Sequence, residues 1–301
     1  MKKALFQLHI AVFLAGFTAI LGKLIGLNEG LLVWYRMLLT ALTLAVILYQ
    51  RKQLIKLPLH ETIKVFAVGC IIAIHWVTFY GSVKYGNVSI AVVCISASGF
   101  FTAFFDPIIS RRKISFIEIL LGAIAIVGIY IIFDFHPQYK TGIIFKKISA
   151  KKSSLFPVFN KRLLAKHNPE TLTMHEMAGG FLALTIIMPF YLKIFPAAYY
   201  LPTAYDWLWL LLLAWACTVY CFDLQLNSLK KLSPFTCNLA YNLEPVYGII
   251  LAFIFFSENK GFNSQFYLGV GLIILAVALQ TIRVWLSRSR AFSHMGALKP
   301  E

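Results

Sequence analysis

Acidic residues are scarce in this chain: 12 Asp and Glu among 301 residues, against 28 Lys and Arg. Charged residues of both signs make up only 13% of it, where an ordinary soluble domain carries ~25%. So few charges cannot cover a water-facing surface of normal size, and a soluble globular domain is excluded. Signature loops are missing as well. There is no Gly-rich Walker loop, so the chain has no ATP-driven step of its own. There is no His-Glu-x-x-His and no Gly-x-Ser-x-Gly, and no enzyme constellation or bound cofactor is expected. The five cysteines, Cys70, Cys94, Cys217, Cys221 and Cys237, contain no Cys-x-x-Cys pair and sit in apolar stretches. They read as small packing residues rather than a disulfide framework or a zinc site.

What the chain has in abundance is apolar sequence, 59% of its residues with a mean hydropathy of +0.76. A helix that crosses a bilayer needs ~20 consecutive apolar residues. Five such stretches lie at about 4–25, 31–49, 62–81, 88–109 and 115–133. Five more lie at about 142–160, 171–192, 207–227, 234–256 and 266–286. Within lipid every backbone polar group must be satisfied inside its own segment, so these stretches are helices. The apolar run after Met1-Lys2-Lys3 has no small-residue cleavage site at its end and is expected to be a retained first helix.

The net charge of +16 sits in short clusters between these stretches, which argues for loops at a membrane surface and against nucleic acid. With the N-terminus in the cytoplasm, 18 of the 28 basic residues fall on the inner side and five on the outer. That bias predicts a multi-pass protein of the inner membrane with both termini cytoplasmic, and an even number of spans. The halves also resemble each other. A shift of 146 lays Ser82-Val-Lys84 on Ser228-Leu-Lys230 and Gly99 on Pro245. Five helices per copy put the second copy in the membrane upside down. The expected fold is therefore all-α integral membrane, with ten transmembrane helices as two inverted five-helix repeats. The expected division is 1–140 for the first repeat, 141–290 for the second and 291–301 for a cytoplasmic tail.

Two stretches carry a family resemblance. One is His75-Trp-Val-Thr-Phe-Tyr80-Gly-Ser-Val-Lys84-Tyr-Gly-Asn-Val-Ser89-Ile-Ala; the other is Asn238-Leu-Ala-Tyr-Asn-Leu-Glu244-Pro245-Val-Tyr-Gly, followed by Glu258. Together with Gly122-Ala-Ile-Ala-Ile-Val-Gly128 and Gly269-Val-Gly271 they resemble the EamA-type branch of the drug/metabolite transporter superfamily. The resemblance implies a cavity that opens alternately to each side, and export or exchange of amino acids, metabolites or drugs. Two departures stand out: Arg111-Arg112 replace the acidic residue after the fourth helix, and the sixth span carries Lys146, Lys147, Lys151 and Lys152. At ~100° per residue these lysines spread around the helix, so one pore-facing stripe cannot hold them all. They weaken the spanning ability of that helix more readily than they form an anion site.

An ionisable group inside a membrane is a functional candidate by default. Glu244 stands mid-span beside Asn238, Tyr241 and Asn242, and Pro245 frees a backbone carbonyl there. It can bind a cation or carry a proton, so proton coupling is the one cofactor-like role expected. Arg36, with Trp34 and Tyr35, can meet an anionic substrate or balance an acid. His75 can shuttle protons or simply pack, and Trp76 and Tyr80 follow it on the same helix. Asp223 lies between Tyr220 and Gln225 toward the cytoplasmic end of the eighth span. Ser96 and Ser98 occupy the first-half positions that match Glu244's surroundings. The expected partners are the bilayer and a small-molecule substrate, with monomer and dimer both open. A membrane enzyme acting on lipid and a non-transporting interaction protein are the competing readings.

Overall fold

A computed structural model of the chain describes residues 2–86, 88–95, 97–110, 113–132 and onward to 134, 155, 157–232, 234–241, 243–257 and 263–296. Among these residues the only regular structure is helical. The first half contains α1 (Lys2–Leu24), α2 (Glu29–Gln50), α3 (Leu59–Tyr85), α4 (Val88–Ile95), α5 (Ala97–Ser110) and α6 (Phe116–Asp134). In the second half, a helical stretch over 157–163 precedes α7 (Pro169–Ile194), α8 (Ala204–Ala214), a π-helical turn (Trp215–Tyr220) and α9 (Cys221–Lys231). Then come α10 (Pro234–Tyr241), α11 (Glu244–Phe256) and α12 (Ser264–Gly296). Grouped as spans, α4 with α5, α8 with α9 and α10 with α11 each form one crossing. The fold is all-α, with ten crossings as two inverted five-helix repeats. Most of the expected sixth span, including Lys146, Lys147, Lys151 and Lys152, lies outside the described residues.

Among the described residues, five helical segments are each long and apolar enough to cross a bilayer, from 22 residues at Lys3–Leu24 to 28 at Ala204–Lys231. At ~1.5 Å per residue the shortest reaches ~33 Å, just beyond the ~30 Å hydrocarbon core. Large apolar side chains face outward along them, Ile186 and Phe190 among them. In water this would cost tens of kcal/mol at ~25 cal/mol per Å²; against lipid tails it costs little. α12 runs ten residues past the expected end of its span, because its hydrogen-bonded backbone continues through polar sequence to Gly296.

Local chemistry sets the helix starts. Asn28 accepts from the Gly30 N–H at 2.8 Å to open α2. Asn168 accepts from Thr171 at 2.7 Å to open α7, with Pro169 at its first position. Thr203 and Asp206 form a capping box on α8.

The two halves pack about a pseudo-twofold relation. Equivalent spans touch each other: α2 with α7, α4 with α11, and α6 with α12. The α3–α7 contact is mirrored by α2 against α8. The α3–α7 crossing is set by backbone approach, since a Cβ on Gly69 would lie 2.0 Å from the Glu176 carbonyl oxygen. Small residues allow helices in lipid this proximity. Gly69→Ala is expected to push the two helices apart and to destabilise the protein by about 1–3 kcal/mol. Heat denaturation of the purified protein in detergent measures it; an unchanged midpoint would show that the crossing is looser than this.

Candidate functional site

The most buried cation in the described membrane region is Arg36, 2% exposed in the middle of the bundle. Its guanidinium is held on three sides. Nε donates to Thr218 Oγ1 at 2.8 Å, Nη1 to Tyr80 Oη at 2.6 Å and Nη2 to the Cys217 carbonyl at 3.1 Å. The indole of Trp76 lies beneath it, with the guanidinium carbon 3.7 Å from the ring centroid. Such stacking is worth ~2 kcal/mol when water is excluded.

The π-helical turn explains why a backbone carbonyl is free for this arginine. The Cys221 N–H bonds Ala216 O and Thr218 O, skipping Cys217 O, which in an α-helix would have been its acceptor. Arg36 takes the acceptor so released. Thr218 serves in both directions, accepting from Arg36 and donating to Leu213 O at 2.8 Å. The Tyr80 ring reaches Arg36 by lying flat against α1, where a Cβ on Gly22 would meet it at 2.3 Å.

Glu244, 6% exposed at the start of α11, shares this centre. It lies within electrostatic reach of Arg36, Tyr80, Tyr241 and Cys221. Among the described residues its carboxylate accepts no hydrogen bond and stands in no ion pair. Leu243 N–H bonds Ala240 O at 3.0 Å, so the chain tightens just before Glu244, and Pro245 supplies no N–H of its own. The Tyr241 hydroxyl is 3.8 Å from Cys221 Sγ, which is itself 3.3 Å from Ala11 O. The centre therefore joins α1, α2 and α3 of one half to the α8–α9 and α10–α11 crossings of the other.

The structure brings together Arg36, Trp76, Tyr80, Tyr241 and Glu244 from the residues singled out in the sequence. His75 stands on the neighbouring face of α3, its ring 6.3 Å from Phe79. Asp223 and Tyr220 line a separate cavity on the outer flank of α2. Asn238 and Ser98 are placed by backbone within α10 and α5, while Asn242 and Ser96 lie outside the described residues. Thr218 and the Cys217 carbonyl carried no sequence signal, because a shift in helical hydrogen bonding leaves no mark on composition. Glu176 did carry one. It is a fully buried acid within the apolar α7, and among the described residues neither of its oxygens meets hydrogen-bond geometry. Asn160 is the polar side chain facing it, near enough to influence it electrostatically yet outside that geometry too.

Polar contacts tie helix ends together on both sides of this centre. At the end opposite the N-terminus, Asp206 accepts from the Gly26 N–H at 2.7 Å, Tyr199 Oη at 2.9 Å, Thr203 N–H at 3.0 Å and Thr203 Oγ1 at 2.8 Å. Burial first, then the Asp206 hydrogen bond and charge, pushes the Tyr199 hydroxyl up to about 12, so it remains a donor at physiological pH. Glu29 accepts from Tyr191 beside it, and Lys84 Nζ donates to Ile25 O at 2.7 Å. At the end that holds the N-terminus, Lys161 Nζ caps α9 through Leu229 O, Lys230 O at 3.0 Å and Leu232 O at 2.9 Å. Glu61 there pairs with Lys166 at 2.9 Å and lies 2.9 Å from His167.

Asp206→Ala is expected to strip four donors of their acceptor and to lower unfolding stability by about 2–3 kcal/mol. Thermal unfolding in detergent checks this, and a change below the scatter would mean that water replaces the carboxylate at no cost.

Comparison with known proteins agrees with this architecture. The model of the EamA-like transporter family matches residues 2–134 and again residues 140–282. An "Uncharacterized transporter" of Archaeoglobus fulgidus is 30% identical over 129 residues, which is 42% of this chain and 46% of that protein. The chain thus aligns with less than half of that relative's length. A solved structure described as "Crystal structure of protein" superposes with a TM-score of 0.69 at 15% identity, covering 93% of this chain and 98% of the other. At that identity the likeness concerns the fold alone. With a family match in each half and ten crossings in two inverted repeats, the chain belongs to the EamA-like transporter family.

Proposed function

We propose that this protein moves small zwitterionic metabolites, amino acids foremost, across the inner membrane by alternating access. One observation carries the reading. A buried guanidinium bonded to neutral acceptors and a buried carboxylate share one centre between the inverted halves. Charges this deep call for partners of opposite sign. An amino acid supplies both, its carboxylate to the free N–H groups of Arg36 and its ammonium to Glu244. Planar two-pronged recognition of carboxylates is what a guanidinium does well. Drugs and metabolites bearing only a cation would engage Glu244 alone.

The basic end of the bundle faces the cytoplasm in this reading, with both termini inside. The tethers at each end act as the two gates. Rocking one half against the other breaks the Asp206–Gly26 and Glu29–Tyr191 contacts while the Glu61 contacts to Lys166 and His167 hold, and then the reverse. Glu244 needs a positive partner in either state. A proton takes that place when the substrate leaves, which couples export to the proton gradient.

The test is a ligand screen by thermal stability of the purified protein. A bound amino acid at a hundredfold excess over its Kd should stabilise by about 2.7 kcal/mol. The matching amine without the carboxylate, and the acid without the amine, should each stabilise far less. Equal stabilisation by either analogue would contradict a site that reads both charges.

A further inference from the structure

On the flank of the bundle, between α2, α7 and the α8–α9 crossing, lies a cavity of about 230 Å³. It backs onto the same π-helical turn as the Arg36 centre but is distinct from it. Thr218 points inward to Arg36, whereas the next two residues, Val219 and Tyr220, line the flank cavity. Its apolar wall is Leu44 of α2 with Val219. At the N-terminal end of the bundle it is closed by the Arg51–Glu170 ion pair at 2.8 Å. At its other end the Trp215 indole donates to Thr43 at 3.1 Å, tying α2 to the π-helical turn.

The polar lining is unbalanced. Arg51 neutralises Glu170, leaving Asp223 as the second carboxylate of the lining. Asp223 accepts only a neutral hydrogen bond, from Asn227 Nδ2 at 2.9 Å, and among the described residues has no ion-pair partner. Beyond contact range it feels Glu170 and, with opposite sign, Lys230 and Arg51, none of which pairs with it. Thr173 adds a hydroxyl that is 2% exposed, lines the same cavity and, among the described residues, has no hydrogen-bond partner. A buried hydroxyl left unmatched is costly, and a donor placed in the cavity would satisfy it.

These groups define a ligand. It must carry a positive charge for Asp223 and more than one hydrogen to donate, to Thr173 as well as the carboxylate. A primary ammonium has three. It must also bring hydrocarbon, because Tyr220 of the lining and Trp215, one turn before Val219, are each about half exposed on the lipid-facing flank. At ~30 Å³ per water the space holds roughly eight waters, enough for a small headgroup but not for its tail.

We infer that the flank cavity formed by Asp223, Thr173 and Glu170 is a binding site for the primary ammonium of an amphiphile, its tail lying along α2 and the π-helical turn. Two sources share that chemistry: an aminophospholipid of the surrounding leaflet, whose phosphate would reach the exposed Arg51 at the rim, and a free long-chain amine. The site stands apart from the transport reading and does not need it.

The experiment measures thermal stability and native mass spectra of the full-length protein in detergent, titrated with four probes. Dodecylamine and dioleoyl phosphatidylethanolamine present the ammonium; dodecanol and dioleoyl phosphatidylglycerol do not. Saturable binding of dodecylamine is expected, with at least tenfold weaker response to dodecanol. In a Glu244→Gln background, which removes the other centre's hold on cations, Asp223→Asn should weaken dodecylamine at least tenfold. Binding of phosphatidylethanolamine over phosphatidylglycerol assigns the lipid as source; dodecylamine binding without it assigns the free amine. Should Asp223→Asn fail to fold, Thr173→Val decides, with a threefold or greater loss expected. Equal binding of dodecanol and dodecylamine, or undiminished binding in the variant used, overturns the site.

Discussion

Arg36→Gln is expected to abolish transport and to lower the stability of the protein by on the order of 3 kcal/mol. Glutamine carries two N–H donors on a shorter stem and no charge. It cannot reach Thr218, Tyr80 and the Cys217 carbonyl together, where Arg36 bonds at 2.8, 2.6 and 3.1 Å. The Cys217 carbonyl is the critical loss. The π-helical turn has already diverted its helical donor, so without the guanidinium it is left bare in a water-free interior. The cation over Trp76 also disappears. Loss of a buried charged partner typically costs ~2–5 kcal/mol of binding, so substrate affinity should fall by about a hundredfold. Arg36→Lys separates the two effects. It keeps the charge but not the planar fork, so stability should recover in part while affinity for the carboxylate does not. Ligand titration by thermal shift reads both quantities in one experiment.

Glu244→Gln is expected to leave folding intact and to remove transport of ammonium-bearing substrates. The amide is isosteric with the carboxyl, and among the described residues no hydrogen bond to Glu244 would be broken. What it loses is the negative charge opposite Arg36. Affinity for amino acids should fall about a hundredfold, by the same charge-pair reasoning. Acids lacking the amine, which rely on Arg36 alone, should bind nearly as before. Coupling should fail with it: flux in proteoliposomes responds to an imposed proton gradient in the wild type and should not in the variant. Variant flux that still follows the gradient would move the proton carrier elsewhere, and Glu176, buried and facing Asn160, is the next group to change.

Much of the fold was legible because lipid imposes a crude code. Runs of about 20 apolar residues marked α1, α2, α3 and α7 to within a few residues of their ends. Five crossings per half gave the inverted plan, and the concentration of basic residues on one side gave an even number of spans. Within the centre, the rarity of charge picked out Glu244 and Arg36 directly. The same rule applied to α7 would have picked Glu176, which was passed over among the acids near that helix's start. Asp223 was legible as an intramembrane acid, but its side of the helix was not. The π-helical turn shifts the register after Trp215, so regular 100° spacing cannot say which of residues 217–223 point inward. Glu29 and Asp206 sit at helix starts, where an acid ordinarily reads as a solvated cap. Only the tertiary structure shows them buried beneath Tyr191 and Tyr199. Thr218 looks like any threonine in an apolar run, and its role exists only because Arg36 arrives from the other half of the chain.

The most direct measurement is amino-acid flux into proteoliposomes containing the wild-type protein, Arg36→Gln or Glu244→Gln at matched incorporation. A centre that reads both charges predicts saturable flux in the wild type and flux at the level of empty liposomes in each variant. Saturable flux that survives both substitutions would contradict it.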